Sequence, residues 1–138
     1  MNRRILCATL AACTICTGLV WRLAPLGLPP FLYKYGGSIL WAAMVYWVLG
    51  ILAPHMRSLP LAMIAVTVAS CVELFRLIHS PALDAFRLTL TGKLLLGRVF
   101  SLRDIAAYGL AIAATAIVDA SVIKHKLSAL NRSTSRSV

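Results

Sequence analysis

The stretch LPLAMIAVTVASCVELFRLI, residues 59–78, decides the fold class of this chain. It is apolar except for Glu73 and Arg76 near its end. An α-helix of about 20 apolar residues is long enough to cross the hydrocarbon core of a bilayer. The stretch therefore predicts a transmembrane helix that carries an acid more than one turn inside its end.

Three further apolar runs, about 5–21, 37–52 and 104–123, repeat this pattern. Prolines and charged residues separate the runs, and Trp and Tyr stand beside the charges, as is typical of a membrane interface. The chain is therefore predicted to be all-α, a bundle of four transmembrane helices in one domain, 1–123. A basic, disordered cytoplasmic tail, 124–138, is predicted to follow.

Two segments leave alternatives open. The first run follows a cationic start, so a cleaved signal peptide is the alternative to a helix that is kept. Residues 10–13 (LAAC) resemble a lipoprotein cleavage site, but the apolar character continues past them to Val20, which favours a retained helix. The segment LTLTGKLLLGRVF, residues 88–100, is too short and too charged for a span. It is predicted to be interfacial or re-entrant, with a fifth span as the alternative.

Composition excludes a water-soluble domain. The chain has 60% hydrophobic and 13% charged residues, whereas a soluble domain carries about 25% charged residues. Its net charge is +10, but the cations stand beside apolar runs, where they contact lipid headgroups. We predict membrane lipids, anionic ones in particular, as partners, and no nucleic acid. All four cysteines lie in apolar runs, so no metal site and no cofactor is predicted.

Four spans bring the end of the first, the start of the second, the end of the third and the start of the fourth to one face of the membrane. Three of the four acidic residues belong to this face. Surplus cations beside a membrane can hold a phosphate or carboxylate. The candidate ligand-binding residues on this face are Arg22, Lys34, Glu73, Asp84, Arg87, Arg98, Arg103 and Asp104.

Glu73 is the most informative of these residues. An acid at the centre of a span costs about 2.5–3.5 kcal/mol on insertion scales, so Glu73 should face a partner or a wet cavity. Arg22, Arg76 and Arg87 are the candidate partners. Three interpretations stay open: a structural ion pair, a ligand or proton site, and a protonated carboxyl that faces lipid.

The opposite face holds the fourth acid, Asp119, which we expect to cap a helix or to pair with Arg3, Arg4 or Lys124. Lys and Arg divide evenly between the two faces, so the positive-inside rule does not choose an orientation. We place both termini in the cytoplasm, because the terminal segments are basic without neighbouring acids. No catalytic grouping is recognisable, so the chain is predicted not to be an enzyme.

Two signatures make the chain resemble DUF2809, a family of small bacterial membrane proteins of unknown function. The first is LP at 28–29, KYGG at 34–37 and LW at 40–41. The second is VELFRL at 72–77, PALDAFRLT at 81–89 and LLLGR at 94–98, with Phe100, Asp104 and Tyr108. Ser38 and Arg76 depart from the family pattern, in which an acid and a Gln are common. The family is similar in layout to VanZ-like proteins, and this likeness implies a multi-pass protein of the bacterial inner membrane with a role at the cell envelope.

Three hypotheses follow. In the first, a charged pocket on the non-cytoplasmic face binds an anionic lipid or envelope precursor; Glu73 orients Arg22 or Arg87, and Arg98 and Arg103 contact the anion. In the second, the chain is a small proton-coupled transporter that uses Glu73 and acts as a homo-oligomer. In the third, it is a structural subunit whose alanine-rich last span packs against a larger membrane partner.

Overall fold

The chain forms six helices among the residues that the computed structural model describes, which are 2–97 and 100–134, with side chains described as far as Val122. In chain order these are α1 (Arg3–Leu23), α2 (Pro30–Leu52), α3 (Ser58–Phe75), α4 (Pro81–Leu88), α5 (Leu90–Leu95) and α6 (Leu102–Thr134). Four of them are long and apolar enough to cross a membrane: α1, α2, α3 and the part of α6 up to Val122. The all-α fold with four spans is confirmed.

The helix bounds differ from the sequence expectation in three places. The third helix ends at Phe75, three residues before the expected end, so Glu73 lies in its last turn and not more than one turn inside. The second helix begins at Pro30, seven residues before the expected start, because proline fits the first helical position, where its missing N–H is not needed. Lys34 therefore stands on a helix and not in a loop. The last helix continues to Thr134, whereas the sequence predicts a disordered tail from residue 124.

Segment 88–100, as far as it is described, does not form a fifth span. It belongs to two short helices, α4 and α5, that follow a turn after α3. Ser80 caps α4 by accepting a hydrogen bond from the backbone N–H of Leu83 at 3.3 Å. Thr89 caps α5 in the same way from Gly92 at 3.1 Å. A Cβ at Gly92 would overlap the carbonyl oxygen of Phe86, so only glycine lets α5 fold back so closely on α4.

Helices α2, α3 and α6 pack against one another, and α1 packs along α2. The core between them is rich in alanine, with Tyr46, Leu61 and Ile112 as its large, fully buried members. Small side chains let helices approach closely in a membrane. Large apolar side chains such as Leu59 and Leu110 point outward and are about three-quarters exposed, as expected where lipid is the solvent.

The alanines of α6 do not all face the same way. Ala111 is buried in the core of the bundle, and Ala116 packs against that core. The third hypothesis used the alanine-rich last span for contact with a partner protein. Because the bundle itself uses Ala111, substituting it would disturb the fold of this chain and would not test assembly.

Candidate functional site

Glu73 lies at the centre of a buried polar cluster at one end of the bundle. Its side chain has no exposed surface, which excludes a carboxyl that faces lipid. Oε1 accepts a hydrogen bond from the backbone N–H of Ser101 at 2.8 Å, and Oε2 accepts one from the Tyr108 hydroxyl at 2.9 Å. Oε2 also pairs with Nη1 of Arg76 at 2.5 Å. Glu73, Arg76, Asp104 and Tyr108 are called the Glu73 cluster below.

Arg76 uses its whole guanidinium to join three parts of the chain. Nε donates to the carbonyl oxygen of Leu96 at 2.5 Å, and Nη2 donates to the Tyr108 hydroxyl at 3.2 Å. Gly97 makes this approach possible. A Cβ there would stand 2.8 Å from Cζ of Arg76, and the backbone φ of +68° favours glycine. Arg76 thereby fixes the loop between α5 and α6 against the end of α3.

Asp104 is the second acid of the cluster and is 3% exposed. Its Oδ2 lies 3.6 Å from Nη1 of Arg76, and its Oδ1 lies 3.7 Å from Nζ of Lys34, which is half exposed. Oδ1 accepts no hydrogen bond from any described residue. Two acids and two cations therefore balance one another at this end, and the pair of Arg76 with Glu73 is the closest contact among them.

Asp84 and Arg87 form a separate group. Arg87 is 3% exposed and donates to the carbonyl oxygens of Phe75 and Ile78 at 2.8 and 2.9 Å. These carbonyls belong to the last residue of α3 and the turn after it, where a helix leaves acceptors without partners. Nη1 of Arg87 also pairs with Asp84 at 3.1 Å. The arginine of this group therefore binds the free carbonyl oxygens at the end of α3.

The opposite end of the bundle holds the Asp119 cluster, made of Asp119, Arg3, Tyr46 and Ser58. Asp119 has no exposed surface, and its Oδ2 receives Nη2 of Arg3 at 2.7 Å, the Tyr46 hydroxyl at 2.8 Å and the Ser58 hydroxyl at 2.9 Å. Arg3 also donates to the carbonyl oxygens of Pro54 and Met56. The cluster joins all four spanning helices, and the expected pairing of Asp119 with Arg3 is confirmed.

A cavity of about 340 Å³ adjoins the Glu73 cluster; it is called the Arg22 cavity below. From α1 it is lined by Thr14, Ile15, Gly18, Leu19 and Arg22. From α2 it is lined by Gly37, Ser38, Leu40, Trp41 and Met44. The remaining lining residues are Arg76, Thr91, Lys93, Leu94, Leu95, Gly97 and Tyr108. Three cations and no acid are present among these residues, and most of the others are apolar.

The paired glycines of the first signature bring α1 close to α2 beside this cavity. The indole of Trp21 lies where a Cβ of Gly36 would stand, and a Cβ at Gly37 would be 3.2 Å from Nη1 of Arg22. The Tyr33 hydroxyl donates to the carbonyl oxygen of Arg22 at 2.8 Å. Arg22 is therefore held at the mouth of the cavity by contacts of its own helix end with α2.

The eight predicted site residues thus divide into groups. Glu73, Asp104 and Lys34 come together, with Arg76 between the two acids. Arg22 lines the cavity nearby, whereas Asp84 and Arg87 stand apart. Arg103 is exposed, and Arg98 lies outside the described residues.

Sequence reasoning assigned Glu73 to orient Arg22 or Arg87, but its partner is Arg76. The three-residue spacing of Glu73 and Arg76 was a signal for this pair. Leu96 and Ser101 contribute backbone groups to this cluster, and such contacts cannot be predicted from the types of the residues. Lys93 is not among the eight predicted site residues, and its position in the lining depends on how α5 folds back.

A family model described as a protein of unknown function, DUF2809, matches residues 27–112. The match covers more than half of the chain, which therefore belongs to that family. No solved structure matches the chain. The matched range contains the whole Glu73 cluster and Lys34, whereas Arg3 and Asp119 lie outside it.

Proposed function

We propose that this member of the DUF2809 family is a non-enzymatic protein of the bacterial inner membrane that binds the anionic group of a lipid or lipid-linked envelope precursor in the Arg22 cavity. With both termini in the cytoplasm, the cavity would open at the non-cytoplasmic face. The observation that carries the proposal is the charge of the lining, which contains three cations and no acid.

The three cations differ in what already neutralises them. Arg76 pairs with Glu73 and lies near Asp104, whereas Arg22 and Lys93 have no ion-pair partner among the described residues. An arginine and a lysine at the edge of a partly apolar cavity bind phosphate or carboxylate by charge-assisted hydrogen bonds. We therefore assign direct contact with the anion to Arg22 and Lys93.

The acids Glu73 and Asp104 do not contact the ligand in this proposal, because neither lines the cavity. Glu73 does not line the cavity, so it positions Arg76 and does not touch the ligand. The same placement weakens the transporter hypothesis, because a carboxylate that carries the coupled proton should face the pathway. The described polar partners of the Glu73 carboxylate are instead Arg76, Tyr108 and the backbone N–H of Ser101.

Native mass spectrometry of the protein extracted with its own lipids tests the proposal. We expect a discrete anionic adduct on the wild type that is lost from an Arg22→Ala, Lys93→Ala double variant. The matched control is an Arg57→Ala, Arg103→Ala double variant, which removes the same charge from exposed residues that do not line the cavity. The control should keep the adduct.

Unfolding of all three proteins is followed in parallel, so that a folding defect is recognised. An adduct that survives in both double variants, or its absence from the wild type, would contradict the proposal. In the first case the lipid binds elsewhere, and in the second the basic residues only contact bulk headgroups.

A further inference from the structure

The Arg22 cavity is a groove that runs along two helices. Its α1 residues, Thr14 to Arg22, follow one face of that helix, and its α2 residues run from Gly37 to Met44. The helices are antiparallel, and Gly37 stands beside Arg22. The eight helical steps from Thr14 to Arg22, at 1.5 Å each, give the groove a length of about 12 Å along α1. It therefore leads from the helix ends toward the middle of the spans.

The walls of the groove below Arg22 are mostly apolar, and the hydroxyls of Thr14 and Ser38 are already engaged. The Thr14 hydroxyl donates to the carbonyl oxygens of Leu10 and Ala11, both at 2.9 Å. The Ser38 hydroxyl donates to the carbonyl oxygen of Lys34 at 3.2 Å. Because each of these hydroxyls already donates its proton to its own helix, it offers no donor to a ligand group that lies beside it.

We infer that the ligand carries its anion directly on a hydrocarbon chain, as an alkyl or polyprenyl phosphate or a long-chain carboxylate does, and that this chain fills the groove. The inference rests on the proposed function and names the ligand class of the same site. A diacyl glycerophospholipid fits less well. Its polar ester groups follow within a few bonds of the phosphate and would lie beside Leu19 and Leu40, whose side chains offer no donor.

The length of the groove sets how far the chain reaches. An extended chain advances about 1.2 Å per bond, since a fully extended peptide spans about 3.5 Å for three bonds. A groove of about 12 Å therefore holds about ten bonds below the anion. Shorter chains should end beside Gly18, and chains of about ten carbons should end near Thr14 and Met44.

Photolabelling measures where the chain ends. The probes are n-alkyl phosphates from butyl to dodecyl with a diazirine at the chain end, added to the protein in detergent, and the labelled residues are identified by mass spectrometry. We expect the label to move with chain length from residues near Gly18 to Thr14, Ile15 and Met44. Unlabelled dodecyl phosphate should displace the probe at lower concentration than dilauroyl phosphatidic acid does.

A matched pair of glycine substitutions provides the control. A side chain at Gly18 would enter the groove, because a Cβ there meets only Leu40 Cβ at 3.9 Å. Gly18→Leu should block the deep half and return the label of the long probe to the mouth of the groove. Gly109→Leu adds the same side chain to α6 where a Cβ meets nothing within 4 Å, and it should leave the labelling unchanged.

The outcomes separate this inference from the proposed function. Label confined to lipid-facing residues such as Leu110, together with an adduct that still depends on Arg22 and Lys93, would overturn the chain groove and leave the anion site. Equal displacement by phosphatidic acid would overturn the ligand class. Absence of any alkyl phosphate adduct, with the endogenous adduct also missing, would overturn both.

Discussion

The two ends of the bundle each bury a carboxylate that contacts an arginine and a tyrosine, yet the surroundings of these carboxylates differ. At the Asp119 end, one acid and one arginine join all four spans. At the Glu73 end, two acids hold Arg76, and further cations stand beside an apolar groove. The ion pair at the Asp119 end holds the four spans together, whereas at the Glu73 end the arginine of the pair also lines a cavity.

The surroundings of the pairs explain this difference. A cavity of about 300 Å³ also lies near the Asp119 end, but Asn2, Arg3, Arg4, Pro54 and His55 line it. No apolar helix faces extend from that cavity into the bundle. An apolar groove beside a cation is what an amphiphilic ligand requires, and only the Glu73 end combines the two within the described residues.

The largest effect should come from removing the single acid at the Asp119 end. Asp119→Asn leaves Arg3 largely buried without a countercharge, because no other described acid lies near it. Losing one partner of a buried ion pair costs about 3–5 kcal/mol. The free energy of unfolding in detergent should fall by about that amount, with Arg103→Ala as an exposed control that changes it little. A loss no larger than the control's would mean that the cluster does not hold the spans together.

A smaller loss is expected from Glu73→Gln. Arg76 would keep Asp104 at 3.6 Å and the carbonyl oxygen of Leu96, so its charge stays compensated. We expect a loss of about 1–3 kcal/mol in the free energy of unfolding, the cost of weakened hydrogen bonds to a charged group. The free energies of unfolding of Asp119→Asn and Glu73→Gln, measured under identical conditions, check the order of these two losses. A larger loss for Glu73→Gln would reverse the comparison between the ends.

The two tyrosines sharpen the comparison. Tyr46→Phe and Tyr108→Phe each remove one hydroxyl that donates to a buried carboxylate, and each should lower the free energy of unfolding by about 1.5 kcal/mol. Only Tyr108 also accepts a hydrogen bond from Arg76 and lines the cavity. Tyr108→Phe should therefore weaken the anionic adduct, and Tyr46→Phe should not. Equal adduct levels in both variants would show that Tyr108 does not contribute to ligand binding.

Lys34→Met should have the smallest effect. The ammonium lies 3.7 Å from Asp104 and half of the side chain is exposed, so solvent screens the pair. Exposed ion pairs contribute about 0–1 kcal/mol, and the loss should also shrink as salt is added. Unfolding at low and high salt measures this. A larger, salt-independent loss would show that Lys34, and not Arg76, holds the charge of Asp104.

The sequence by itself determined the fold class and the number of spans. A run of apolar residues of bilayer length has one stable solution in lipid, a helix that satisfies its own backbone. The sequence also predicted which helix ends share a face, because alternating spans leave no choice. The topology left Arg3, Arg4 and Lys124 as candidate partners of Asp119, and the structure pairs it with Arg3.

Only the tertiary structure decided which charges meet and where the cavity lies. Arg22, Arg76 and Arg87 were equal candidates for Glu73. The choice fell to Arg76 because the loop after α5 supplies Leu96, Ser101 and a glycine with positive φ at position 97. Arg87 instead donates hydrogen bonds to the carbonyl oxygens of Phe75 and Ile78 at the end of α3. Such contacts depend on backbone groups and on how α5 folds back on α4, and neither can be predicted from the types of the residues alone.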